Sequence, residues 1–251
     1  MCRDFFVYEE QMKQLNSVMR LLPIVATLVL PYVGFSQSSP VSDALQQKIQ
    51  GMQQAAAQNE QRLHQYQWIE TATVTMNGTP RPPKQSICRY NPYGTLVKTP
   101  IGAQGGPPPV SGGPLRRHIM EKKIEEAEQE MAATRELTAL YLPLNPGTLK
   151  QAFQTRRIDL EHKPTGGNAL VINDYAKSGD RLILDVDTAT LQLRQITVRS
   201  YFASSADAFT ATVQFSVLAD GTTYPSITTI DAPAKKLSIT TLSSSFSRPV
   251  Q

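Results

Sequence analysis

The apolar positions of this chain follow two periods, and the more frequent one is the spacing of two that strands require. In the segment YQWIETATVTM (66–76) one face carries Tyr66, Trp68, Ala72, Val74 and Met76, and the other carries Thr71, Thr73 and Thr75. The pair Asn77-Gly78 follows and predicts a type I′ hairpin turn, because both central residues of that turn need positive φ. We therefore predict a strand, a tight turn, and further strands at KQSICRYN (84–91) and GTLVKTPI (94–101).

After Arg156 the sequence predicts strands alone. The predicted segments are 156–162, 168–176, 180–187, 191–202, 207–219, 223–231 and 235–246. Gly-Gly, Ser-Gly-Asp, Asp-Gly and Ala-Pro-Ala-Lys turns join them, and none of the connections has room for a crossover helix. Consecutive strands are therefore expected to pair antiparallel.

Helical periodicity is confined to three segments. Residues 37–65 have a candidate cap at Ser42 or Asp43 and a glutamine-rich outer face. Residues 115–142 form a longer helix, which Pro143 ends, and a short helix follows with Asn145 as its cap and Pro146 at its first position. The apolar stripe predicted for the longer helix consists of Ile119, Ile124, Ala127, Met131 and Leu137. Between strands and helix, residues 102–114 (GAQGGPPPVSGGP) predict a loop.

The segment DRLILDVDTATLQL (180–193) raises a catalytic alternative, since an apolar run ending in Asp-x-Asp resembles the nucleophile motif of haloacid-dehalogenase-type phosphatases. That family needs a parallel sheet with helical crossovers, whereas here another strand follows within a few residues. The threonine of the motif would fall at Ala189. We interpret Asp187 as a turn residue whose carboxylate accepts a backbone N–H.

The N-terminal region predicts export. Arg20 precedes the uncharged run LLPIVATLVLPYVGF (21–35), which is too short to span a bilayer but suits a secretory signal peptide. Gly34 and Ser36 place small residues before a cut at Gln37. The acidic residues upstream indicate that translation starts at Met12 or Met19, and an uncleaved membrane anchor is the alternative.

Composition excludes several classes of function. The formal net charge of +4 is too small to predict nucleic-acid binding. After cleavage Cys88 is the remaining cysteine, and it is expected to be an inert, half-buried strand residue because no histidine forms a cysteine-hydrolase signature with it. His118 and Glu121 lie one helical turn apart, but a metal site needs more ligands. We therefore expect no enzyme activity, no metal and no cofactor.

The order of elements, in which a helix, a short meander, two mid-chain helices and a long antiparallel meander follow one another, resembles the periplasmic lipoprotein-carrier (LolA/LolB-like) superfamily. The tail, with its DGTTYP and DAPAKKL turns, is also similar to a set of uncharacterised exported bacterial proteins. The resemblance implies an α+β fold in which an antiparallel sheet curls into a half-open barrel, covered by an N-terminal helix and two mid-chain helices. We expect residues 1–36 to be the signal peptide and residues 37–251 to be one domain of this kind.

A concave sheet face is the candidate site, because Phe209, Ala211, Val213, Phe215 and Val217 alternate without a break. An ordinary filled core and an apolar pocket for an acyl chain both agree with this pattern. Glu70 lies on the apolar face of its strand, where it either orients a ligand head group or occupies a bulge or edge position. The predicted lining residues are Trp68, Glu70, Val74, Phe209, Val213 and Phe215.

Two functions of different class follow from these expectations. The first is a non-enzymatic envelope protein that binds a lipid or a lipoprotein acyl chain in the concave face of the sheet. The second is a structural or protein-interaction module with a filled barrel and no ligand. In either case we expect a monomer in the periplasm of a Gram-negative bacterium, which contacts a membrane transiently or through its signal peptide and binds no nucleic acid.

Overall fold

A computed structural model describes residues 51, 54–102, 114–155, 157–163, 168–187, 190 and 192–249. Its helices are α1 (54–63), α2 (Pro114–Ala139) and α3 (Pro146–Gln154). As predicted, Asn145 caps α3, since its side-chain Oδ1 accepts the backbone N–H of Thr148 at 3.1 Å. Most of the predicted helix 37–65, the signal peptide and the loop residues 103–113 lie outside the described residues.

The strands follow the predicted segments closely. They are β1 (Gln67–Met76), β2 (Thr79–Pro80), β3 (Lys84–Tyr90), β4 (Leu96–Ile101), β5 (Ile158–His162), β6 (Asn168–Asn173), β7 (Arg181–Val186), β8 (Leu193–Tyr201), β9 (Ala208–Val217), β10 (Thr223–Ala232) and β11 (Leu237–Ser247). In the described part of the chain they form one 11-stranded sheet of order β4-β3-β1-β11-β10-β9-β8-β7-β6-β5, with β2 paired to β1. The strands β4 and β5 are the two edges, so the sheet is not closed into a barrel.

Every pairing in this sheet is antiparallel, which confirms the interpretation of the aspartate motif as a hairpin. Asp187 accepts the backbone N–H of Thr190 at 3.0 Å, as predicted, and forms an ion pair with Arg194. The turn at Asn77-Gly78 is confirmed as well, with φ of 53° and 74°. The predicted α+β fold with a large antiparallel sheet is therefore correct, while the half-open curl and the position of the helices over its mouth stay predictions.

The two faces of the sheet differ in composition, as the period of two requires. The burial of β1 and β7 alternates from residue to residue, and the buried residues define the inner face. The outer face is polar in its centre, where five threonines stand in register across β8, β9, β10, β11 and β1. They are Thr197, Thr212, Thr229, Thr240 and Thr73. Cross-strand pairs of this kind contribute roughly 0.2–1 kcal/mol each and help to fix the register.

The main core lies between the inner face and the C-terminal half of α2. Met131 and Leu137 of this helix belong to the same buried cluster as the inner-face residues of β1 and β6 to β11. Burial of each large apolar side chain stabilises the fold by about 1.5–3 kcal/mol. The predicted stripe of α2 is correct for this half of the helix, but Ile119 and Ile124, which the pattern assigns to the same stripe, are exposed.

Candidate functional site

The structure divides the six predicted lining residues between two places on the inner face. Val74, Phe209 and Val213 lie within the main core and are almost fully buried against its other members. Phe215, the next inner-facing residue of β9, is only partly buried and packs against the edge of that core. Trp68 and Glu70 are buried outside the main cluster, where they pair with Cys88 and Ser86 of β3.

Apolar surface continues beyond the main core on both the helix and the sheet. On α2, Ile124 and Ala127 continue the line of Met131 at helical spacings of three and four, and Ala127 already packs against the core. Ile124 is 43% exposed. On the sheet, Leu170 of β6, Leu193 of β8 and Phe215 of β9 are partly buried and also pack against the core. We call the set formed by Ile124, Ala127, Leu170, Leu193 and Phe215 the apolar margin.

An aromatic cluster fills the inner face at the start of β1. The rings of Trp68 and Phe246 stack with centroids 5.5 Å apart, and Tyr90 and Tyr224 extend the cluster on either side, at 5.8 Å from Trp68 and 4.2 Å from Phe246. A left-handed Ser245 (φ 55°) makes room for this arrangement, because it lies in the bulge of β11 opposite β1.

Helix α1 packs beside this cluster through both apolar and polar contacts. Its Leu63 is buried, and the ring of His64 lies 4.1 Å from that of Tyr90. The side chain of Asn59 accepts the backbone N–H of Thr223 at 2.6 Å and donates to the carbonyl oxygen of the same residue at 2.7 Å. The Asn59 amide therefore pairs with Thr223 of β10 as a residue of a neighbouring strand would, and it fixes the position of α1 on the sheet.

A buried ion pair lies beside the aromatic cluster. The Lys98 Nζ donates to both carboxylate oxygens of Glu70 at 2.5 Å, and the two side chains are 7% and 4% exposed. The prediction that Glu70 occupies a bulge or an edge is wrong, since β1 is an interior strand and Glu70 pairs in regular register with Ser86 and Ser243. The ammonium group from the edge strand β4 compensates the carboxylate instead.

Burial dominates the electrostatics around this pair. It lowers the pKa of Lys98, although the Glu70 carboxylate opposes that shift. It also raises the pKa of the neighbouring Cys88 thiol to about 12, so the thiol stays protonated and is a poor nucleophile at neutral pH. Cys88 is fully buried in β3 rather than half-buried as predicted.

A second polar network lies at the opposite end of the inner face and has a structural explanation. The buried Asp180 carboxylate accepts the hydroxyl of Tyr141 at 2.5 Å and the backbone N–H groups of Tyr175, Ala176 and Lys177 at 2.6, 3.0 and 2.7 Å. The same tyrosine hydroxyl lies 2.7 Å from the Ser200 Oγ. The carboxylate thus closes the β6–β7 turn and ties it to the end of α2.

The described residues include no group of three or more histidine, cysteine, aspartate or glutamate side chains that could hold a metal ion. Within the same residues, no helix has the length and hydropathy that a transmembrane segment needs.

The sequence did not predict Lys98, Tyr90 or Phe246 as members of the site. Alternation places Lys98 on one face of GTLVKTPI together with Leu96 and Pro100, but only the pairing of Lys98 with Cys88, and of Cys88 with Trp68, puts it on the inner face. Phe246 reaches that face because of the bulge at Ser245, which shifts the alternation by one residue.

No protein-family model and no curated protein matches the chain. Among solved structures, a DUF1329 family protein from Desulfovibrio piger is similar to it, with a TM-score of 0.38 and 8% identity over 85% of this chain and 95% of the other. A LolA superfamily protein from Nitrosomonas europaea is also similar, with a TM-score of 0.35 and 7% identity over 79% and 94%. At these TM-scores and identities neither similarity bears on the ligand or the activity of this chain.

Proposed function

We propose that the protein binds one apolar ligand, a lipid or a lipoprotein acyl chain, at the apolar margin of the inner face. The observation that carries the proposal is that apolar surface on α2 and on the sheet continues past the filled core. An acyl chain that covers an aliphatic side chain such as Ile124 removes its apolar surface from water. This burial favours binding by about 25 cal/mol per Å² of buried apolar surface. The site is therefore smaller than the predicted lining, since Val74, Phe209 and Val213 are already buried.

The role is that of a binding or transport module without catalysis. The buried thiol of Cys88 is held protonated, and the aspartates of the 180–187 segment are engaged in hydrogen bonds and ion pairs that order the sheet and its turns. We further propose that residues 1–36 direct export to the periplasm of a Gram-negative bacterium, where residues 37–251 form a single monomeric domain that needs no cofactor.

A structural or interaction module is the second candidate, and one observation favours it. Three of the predicted lining residues, Val74, Phe209 and Val213, are buried in a core that helix α2 already fills, so the fold needs no ligand for its stability. In that case the apolar margin would be covered by other parts of the same chain.

The two candidates differ in a direct binding assay. Native mass spectrometry of the protein purified from the envelope fraction should reveal a co-purified lipid, and N-phenyl-1-naphthylamine should bind with increased fluorescence to the delipidated protein. Ile124→Asp should weaken probe binding roughly tenfold or more, because it places a charge where the acyl chain lies. Leu140→Asp is the matched control, since Leu140 is similarly exposed at 52% but lies just beyond the other end of α2, outside the apolar margin. Lipid-free protein that binds no probe would support the second candidate.

A further inference from the structure

We propose that the outer face of the sheet contains a docking surface for an anionic lipid bilayer. Five aliphatic residues on five neighbouring strands form it, and we call them the outer ridge. They are Ile101 of β4, Ile87 of β3, Ile69 of β1, Leu242 of β11 and Ile227 of β10.

The strand register places these side chains next to one another. Ile69 and Ile87 are direct cross-strand partners, as are Leu242 and Ile227. Ile101 pairs with Gln85, two residues from Ile87, and is therefore its diagonal neighbour. The ridge crosses the sheet diagonally from its β4 edge, beside the in-register threonines of the central outer face.

The side chains of the outer ridge are exposed, although polar strand-forming residues would serve the sheet equally well at these positions. Ile87, Ile101 and Leu242 are 40%, 40% and 45% exposed. Apart from Val97 of β4 and Arg89 of β3, the outer positions around them are threonine, serine and glutamine, and threonine satisfies the strand preference without a large apolar side chain. A contiguous apolar patch of this kind marks a contact surface more often than single exposed residues do.

Size and charge indicate a bilayer as the occupant. Five aliphatic side chains, each about half exposed or less, present at most a few hundred Å², whereas each partner in a stable protein dimer contributes roughly 800 Å². Arg89 on β3 lies two residues from Ile87, whereas the one acidic side chain at a described outward position of the five ridge strands, Asp231 of β10, lies four residues from Ile227 and accepts the hydroxyl of Ser238. Shallow apolar contact combined with a basic group is the pattern of binding to an anionic membrane surface.

This surface is independent of the proposed ligand site, because the two lie on opposite faces of the sheet. The protein would contact the membrane through its outer face while the apolar margin stays on the inner face. Loss of membrane binding and loss of ligand binding can therefore be separated by substitution.

Vesicle flotation tests the inference. Protein isolated from the envelope fraction is mixed with vesicles of phosphatidylcholine containing one quarter phosphatidylglycerol, and the bound and free fractions are measured. The double variant Ile87→Thr with Leu242→Thr should lower the bound-to-free ratio roughly tenfold, because both threonines keep the strand preference and remove apolar contact. The matched control Thr212→Ser with Thr240→Ser, on the same face, should stay within about twofold of the wild type.

Charge gives a second readout on the same vesicles. Arg89→Gln should reduce binding to the vesicles with phosphatidylglycerol and leave binding to pure phosphatidylcholine unchanged. Three results would overturn the inference. They are failure of the wild type to float, equal flotation of the ridge variant, or sedimentation of the wild type as a dimer that the ridge variant converts to a monomer. The last result would make the ridge a contact between two copies of the chain.

Discussion

The buried pair of Glu70 and Lys98 makes the sharpest stability prediction, and the perturbation is Lys98→Met. Methionine has nearly the length of the lysine stem and keeps the apolar packing, so the substitution removes the ammonium group with little change in volume. The carboxylate of Glu70 then loses the donor that bonds both of its oxygens at 2.5 Å, and it stays at 4% exposure.

The expected loss follows from this burial. Removal of one partner from a buried ion pair costs about 3–5 kcal/mol, since an uncompensated charge remains in the interior. The whole domain is expected to have an unfolding free energy of about 5–15 kcal/mol. The single substitution should therefore remove a fifth or more of the stability. A double variant, Glu70→Leu with Lys98→Met, removes both charges and should be more stable than Lys98→Met alone.

Urea unfolding followed by tryptophan fluorescence measures these changes. Trp68 is the single tryptophan of the chain and is almost fully buried in the neighbouring aromatic cluster, so it reports on the region that is perturbed. Lys122→Met is the matched control. It removes the same group from the exposed pair with Glu126, whose Nζ–Oε1 distance is 3.9 Å, and should change the unfolding free energy by about 0.5 kcal/mol or less.

An unfolding free energy that Lys98→Met changes no more than Lys122→Met does would contradict this expectation. The carboxylate of Glu70 would then be solvated in the folded protein, and β4 would not hold Lys98 on the inner face. A double variant less stable than Lys98→Met would contradict the argument from desolvation as well.

Three further predictions test other contacts. Cys88 should react with Ellman's reagent at pH 8 only as fast as the protein unfolds. Burial raises the pKa of its thiol from 9.0 to about 12, so between these pH values the unfolded chain binds fewer protons than the folded protein. The free energy of unfolding should therefore fall as the pH rises from about 9 to about 12. Asp180→Ala should lower the unfolding free energy by about 3–5 kcal/mol, whereas Tyr141→Phe should cost about 1–3 kcal/mol in the same urea titration, because it removes one of four donors. Asn59→Ala should release α1 and expose its peptide bonds to limited proteolysis, with Gln58→Ala, exposed on the same helix, as the unaffected control.

The parts of the fold that could be predicted are those that depend on residues close together in the sequence. The alternation of apolar residues, the Asn77-Gly78 turn and the missing crossovers after Arg156 all depend on neighbours in sequence, and the strands and their antiparallel pairing agree with them. The cap at Asn145 is local as well. For the same reason the aspartate motif could be rejected without the structure.

The site depends on contacts between distant strands, and here prediction was weaker. Glu70 finds Lys98 through two strand pairings that no sequence pattern specifies. Phe246 changes face because of a one-residue bulge. Ile124 fits the apolar stripe of α2, but periodicity cannot tell where along a helix the core ends, so its exposure could not be foreseen.

The measurement that tests the proposed ligand site most directly is photo-crosslinking with a diazirine-bearing fatty acid, followed by mass mapping of the labelled peptides. We predict adducts on the α2 peptide that contains Ile124 and on the β9 peptide that contains Phe215, with competition by unlabelled fatty acid. Absence of any adduct at a saturating concentration of the probe, or adducts confined to the outer ridge, would contradict an apolar site on the inner face.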